Sequence, residues 1–333
     1  MNFIGVWDLM NRIYRKVWSV GRGVVVASEM AKAKGKGKGA RLLQAVVLAG
    51  AVVSAPVFAG EVCVTDEGGE ATATAAGDNA LACGAQSNAA GAYATAIGVR
   101  SVASADATIA VGYRSAATGA NATALGVLSE ASGLSAVAVG YRSEASGLRS
   151  VALGTKSVAS GEYSTAFGFE SVASGDATLA IGYWSEATGS NATALGVLSE
   201  ASGTTTLAVG YRSSASGRRA IALGGKSDAS GDYASALGFE SEASGANATA
   251  LGAYSVASSD DATAIGVEAY AVEVGASAFG VGAIASGIEA TALGAYSVAT
   301  GLGASAFGAE SVASGDLSLA VGALSEASGT NST

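Results

Sequence analysis

Small and apolar positions recur in a fixed frame from residue 81 to the last residue. Every fourteenth residue from Gly84 to Gly322 is glycine, with no insertion. The residue before each of these glycines is Cys83 and thereafter Ile, Val, Leu or Phe, and the one before that is always Ala. Ser stands three past the glycine, except at Ala269 and Ala283, and Ala stands five past it. A second glycine stands seven past, replaced at Ala105, Ser259 and Glu273. A unit this short cannot fold alone and must stack on its copies. Its glycines and hydroxyl residues disfavour helix. The spacing therefore predicts two strands of about four residues per turn, each ended by glycine. Stacked about 4.8 Å apart, eighteen such turns would make a rod of roughly 85 Å.

Alternation along a strand sorts the faces. In the second strand of each turn, Ser, Ala and Gly share one side and are expected to point into the turn. The other side carries Val or Glu, as at Val102, Glu130, Glu144, Val158 and Glu186, and meets water. The first strand has no charged side. Its larger apolar residues are expected to fill the narrow interior. Its alanines, Ala124, Ala138, Ala152, Ala166, Ala180, Ala194 and Ala208, would then tile an exposed stripe. An apolar stripe of that length marks an interface. A cyclic homo-oligomer closed on close-packed alanine is the expectation.

Composition narrows the chemistry. The chain has 48 Gly, one Pro, no His and few aromatics. Without His it lacks the commonest general base and metal ligand. No nucleophile–base pair stands out, so neither an enzyme nor a cofactor is expected. The Gly-Gly-x-Gly-x-Asp ladder of calcium β-rolls is missing, and no metal site is expected. Residues 60–333 carry nine basic and twenty-five acidic residues, a net charge of −16. Such a body is a poor partner for nucleic acid, whose phosphates require clustered positive charge.

The first 59 residues differ in kind. They hold all three Met, the one Pro and nine Lys or Arg against two acids. A basic tract ending at Arg41 precedes an apolar run, Leu42 to Val53, and then "SAPVFAG". This is the order of a secretory signal, with cleavage expected after Ala59. The run is short for the ~20 residues of a spanning helix. The region from Met10 resembles the extended signal peptide of large autotransporters and related adhesins of Gram-negative bacteria, which suggests Met10 as the true start. Residues 60–80 are then a cap or linker.

Export permits a disulfide. Cys63 and Cys83 either staple the amino-terminal end of the body, or Cys83 is simply a small apolar residue in its column. The two residues after each strand glycine vary, as in Tyr113-Arg114, Tyr141-Arg142, Lys156, Tyr183-Trp184, Tyr211-Arg212 and Lys226. A second variable position holds Arg149, Arg218 and Arg219. Tyr, Trp and Arg dominate binding hot spots. These thirteen residues are the ligand-contact candidates, expected along one edge, where they could equally be a solvated ladder of offsetting charge. Asn121, Asn191, Asn247 and Asn331 head formal glycosylation sequences that the repeat itself imposes.

Copies such as "NATALGVLS", at Asn121 and again at Asn191, and "NATALGAYS", at Asn247, resemble the head repeats of trimeric autotransporter adhesins of the Yersinia adhesin (YadA) type. The first recurs as "NATALGVLSEASG" at an offset of 70 residues, five whole turns. The resemblance spans residues 81–333. It implies an all-β fold, a left-handed parallel β-roll of 14-residue turns assembling as a homotrimer. It also implies partners among host matrix proteins or cell-surface receptors. The opening Asn-Ala-Thr-Ala departs from the family's Asn-Ser-Val-Ala, which leaves collagen binding through that motif without support. The frame runs out inside a strand at Thr333, the expectation for a truncated product or fragment. Neck, stalk and β-barrel anchor are absent from this sequence, and membrane attachment would come only through them. The reading is a multivalent surface adhesin. The alternative is an ice-binding or purely structural solenoid. Ice binding would want an unbroken Thr ladder, and Thr95, Ile109, Thr123, Val137, Val151 and Thr165 do not make one.

Overall fold

A computed structural model of the chain describes residues 17–18, 24–25, 61–63 and 73–333. Two compact units divide at Ala55–Pro56. In the first, Val17–Trp18 pairs antiparallel with Val24–Val25. The expected cleavage after Ala59 lies outside the described residues. The second unit is a parallel β-solenoid. Each turn contributes one three-residue and one two-residue strand, shorter than the sequence frame predicts. The long strands stack in register into one parallel sheet, as Val137–Val139, Val151–Leu153 and Thr165–Phe167 do. The short strands stack into a second, as Glu130–Ala131, Glu144–Ala145 and Val158–Ala159 do. The expected cap contributes to both sheets. Glu61–Cys63 pairs with Leu81–Cys83, and Thr74–Ala75 pairs with Asn88–Ala89.

The fourteen residues of a turn are two seven-residue halves with one backbone plan. In residues 140–153 each half opens on glycine, Gly140 or Gly147. Two residues later the chain enters the left-handed region, at Arg142 (φ 54°) and Arg149 (φ 52°). A buried serine follows, and its hydroxyl donates back to the opening glycine: Ser143 Oγ to the Gly140 carbonyl at 3.2 Å, Ser150 Oγ to the Gly147 carbonyl at 2.8 Å. These bonds satisfy hydroxyls that would be costly to bury unpaired. The left-handed residues are tied to the preceding turn, Arg142 N donating to the Val127 carbonyl and Arg149 N to the Leu134 carbonyl. Glycine opens each half because successive turns nearly touch there. A Cβ on Gly147 would stand 1.9 Å from the Gly161 carbonyl oxygen.

The interior is alanine and serine. Ala145 and Ala152 from the two strands of this turn are fully buried, as are their equivalents along the roll. This overturns the expected assignment of the long strand's faces. Ala124, Ala138, Ala152, Ala166, Ala180, Ala194 and Ala208 are all 0 % exposed within a single chain. They cannot be the surface that meets another copy. The interior is so narrow that its buried side chains are those of alanine and serine, with threonine the largest, as at Thr108, Thr178 and Thr206. The bulkier residues on either side of each alanine therefore turn outward. Phe167, Leu251 and Leu293 are about half exposed.

Candidate functional site

The left-handed positions decide where chemistry can gather. Each half-turn bends sharply there and throws its side chain outward at a corner of the coil. Eight of the nine basic residues of the body occupy these positions: Arg100, Arg114, Arg142, Arg149, Lys156, Arg212, Arg219 and Lys226. Trp184 does so as well. The thirteen contact candidates therefore do not share one edge. Tyr113, Arg114, Tyr141, Arg142, Lys156, Tyr183, Trp184, Tyr211, Arg212 and Lys226 follow the long strands and line one corner. Arg149, Arg218 and Arg219 follow the short strands and line the other.

Within each corner rings and cations pair. Arg114 lies 6.0 Å from the Tyr113 ring, Arg142 5.4 Å from Tyr141 and Arg212 6.0 Å from Tyr211. Lys156 and Lys226 sit over Phe169 and Phe239 of the following turns. At the second corner Arg149 reaches Tyr163, and Arg218 and Arg219 share Tyr233. Lys156 and Lys226 also pair with Glu170 and Glu240 at 2.5 Å, and Arg218 with Asp232 at 3.6 Å. The Lys156 hydrogen bond, helped by the Trp184 N–H, holds the Glu170 carboxyl below its ordinary range despite some burial. The Glu240 carboxylate raises the Lys226 ammonium. Exposed pairs of this kind contribute little stability each. Their effect is to hold flat rings and charges in fixed positions on the surface.

Trp184 departs from the pattern. It stacks on Tyr183 at 5.1 Å, and Tyr183 stacks on Phe169 at 5.2 Å. The indole N–H donates to Glu170 Oε2 at 2.5 Å. An open groove of about 570 Å³ runs beside it, lined by Lys156, Glu170, Val172, Trp184, Ser185, Glu186 and Leu198.

Two further features escaped the sequence reading. Asp106, Asp176, Asp232, Asp260 and Asp316 each accept a hydrogen bond from a backbone N–H one turn earlier, as Asp176 Oδ1 does from Glu162 N. All five fall at one frame position, which was the available signal. Asp228, on an outward face, is half-buried, and its Oδ1 has no hydrogen-bond partner. Burial first, then Glu242 and Glu200, push its carboxyl up.

The glycosylation-like asparagines have a conformational explanation. Asn121, Asn191, Asn247 and Asn331 all lie at φ 56–58°, a region asparagine tolerates better than most residues. Cys63 and Cys83 are free thiols standing opposite one another in register. Their mutual hydrogen bond, with lesser help from burial, raises the Cys63 thiol. Among the described residues no cluster of three or more His, Cys, Asp or Glu is placed to hold a metal.

Comparison with family models gives two matches. The extended signal peptide of the type V secretion system matches residues 10–58. The YadA head domain repeat matches eleven segments, some overlapping, from residues 75–100 to residues 313–333. Comparison with curated proteins finds no significant match.

Proposed function

Because the chain belongs to the trimeric autotransporter adhesins with a YadA-type head, we propose that its two corner ladders are adhesive surfaces that act by avidity. The chain is exported to the cell surface, and its family is one of adhesins rather than enzymes. The observation that carries the proposal is the concentration of eight of nine basic residues, with Tyr and Trp beside them, at left-handed corners. Each corner offers a weak contact. Many turns and three chains multiply it without any single strong site. Targets are host matrix proteins, cell-surface receptors or other surfaces.

The seam between copies is the outward face of the long strands, where residues such as Thr123, Leu125, Val137 and Val139 form an apolar stripe. Export and the in-register placement of Cys63 and Cys83 support a disulfide between adjacent coils. Non-reducing electrophoresis of the mature chain after mild oxidation is expected to show a faster, compact monomer band. Dimer or trimer bands would place the bond between chains instead.

The adhesive reading is tested with beads coated with residues 60–333 and presented to collagen, fibronectin, laminin and abiotic surfaces. Retention on at least one surface is expected, falling several-fold when Tyr113, Tyr141 and Tyr211 are replaced together by Ala. Beads that bind none of these surfaces better than uncoated beads would sink it.

A further inference from the structure

Five rings of the first corner are capped by cations of this chain. Tyr113, Tyr141 and Tyr211 each carry the arginine that follows them, and Phe169 and Phe239 each carry a lysine. Among the described residues no cation caps Tyr183, Trp184, Tyr254 or Tyr296. Of these four, only Tyr183 and Trp184 have a nearby carboxylate, at Glu186, rather than a valine, at Val256 or Val298. The position that holds Arg142 or Arg212 in neighbouring turns is here Trp184 itself. Trp184 is also held ready: its N–H is fixed on Glu170, which Lys156 neutralises. The ring leaves about half its surface in water.

The groove beside it carries an unspent charge. Glu186 is exposed, and no side chain among the described residues pairs with it. Glu200 stands directly opposite it in the next short strand, and like charges so placed repel. Val172 and Leu198 supply apolar walls. The five-turn offset provides internal comparisons. Trp184 and Glu186 correspond to Arg114 and Ala116 one block earlier, and to Tyr254 and Val256 one block later. The open ring and the unpaired carboxylate occur together at this turn only among the three blocks.

An aromatic face, apolar walls for a methylene stem and a carboxylate at the far side fit a side chain with an apolar stem and a positive head. A neutral sugar fits less well, because the indole N–H and Lys156 are already engaged. We propose that the groove at Trp184 binds a lysine or arginine side chain on a basic segment of a partner polypeptide. This deepens the adhesive reading and rests on the first corner being a contact surface. The net charge of −16 over residues 60–333 draws such partners toward the head.

Trp184 is the sole tryptophan after residue 59, so its emission reports the site directly in the mature trimer. Titration with tetralysine amide is expected to change that emission saturably. Glu186→Gln, an exposed and conservative change, is expected to weaken binding about tenfold. Fluorescein-labelled tetralysine, read by anisotropy, is expected to show a similar loss for Trp184→Asn, a residue suited to the left-handed backbone. Glu130→Gln, four turns before Glu186 and outside the groove's lining, is expected to leave affinity unchanged. Unaltered affinity in Glu186→Gln, equal weakening in Glu130→Gln, or an emission change with lactose but not with tetralysine would each overturn the proposal. Bead adhesion measured on the same preparations separates the two readings. Adhesion without an emission response removes this site alone, and an emission response without adhesion removes the adhesive reading.

Discussion

The left-handed corner residue is where each half-turn carries its backbone cost. For an ordinary L-residue that conformation costs about 1–2 kcal/mol, and asparagine is among the residues that visit it routinely. Ala177 lies there at φ 54°, exposed, with only a methyl group to lose. Ala177→Asn is therefore expected to stabilise the head by roughly 0.5–1 kcal/mol, read as a raised thermal midpoint by circular dichroism. Asp228 makes a different case. Its carboxyl is raised in the folded chain by burial and by Glu242 and Glu200. The unfolded chain thus gives up its proton first as pH rises, and stability falls between the unfolded and folded values. Asp228→Asn is expected to raise the midpoint at pH 7 and to have little effect at pH 3, where both states are protonated. Equal effects at the two pH values would show that ionisation is not the cause.

At the scale of the strand and turn, the sequence made the period plain because glycine there is a backbone requirement. Gly84 to Gly322 could be counted, and stacking followed. The faces of the long strand were misread because the choice depends on the gap between sheets, which no single strand reveals. Ala124 looked like a surface tile beside Leu125, yet a coil this flat buries the methyl instead. The two-fold division of the turn was not read from the sequence, although Ser143 and Ser150 follow Gly140 and Gly147 at equal spacing. Arg, Trp, Tyr and Leu at the same corner position hid it by looking chemically unrelated. The stacking argument has a direct test. A methyl on Gly147 would collide with the backbone of the next turn. On Gly225 it would meet only the edge of the Phe239 ring, at 3.3 Å. Gly147→Ala is expected to cost about 3 kcal/mol or more. Gly225→Ala is expected to stay within about 0.5 kcal/mol of the parent. Equal midpoints in thermal denaturation would mean that turns are not packed as tightly as this.

For the whole molecule, the exchange of faces moves the proposed seam to the outward side of the long strands and changes how it must be probed. A solenoid with an alanine and serine interior buries little apolar area per turn. The larger apolar residues remain outside, on one sheet and in register, so a single chain leaves its best hydrophobic material in water. A trimer, consistent with the family, would cover it if closed on this face, as proposed above. A charge on the interior alanine column would damage each chain and say nothing about association. A charge on the outward column should separate chains that stay folded. Leu195, Val209 and Leu223 occupy that column in three successive turns. Replacing all three by Glu would put nine carboxylates into a trimer's seam, each costing several kcal/mol if buried without a partner. Residues 60–333 carrying these changes are expected to sediment as a monomer while keeping a β-type circular dichroism spectrum. Ala194→Glu alone is expected to lose part of that spectrum. A triple variant that still sediments as a trimer would place the seam on another face of the roll.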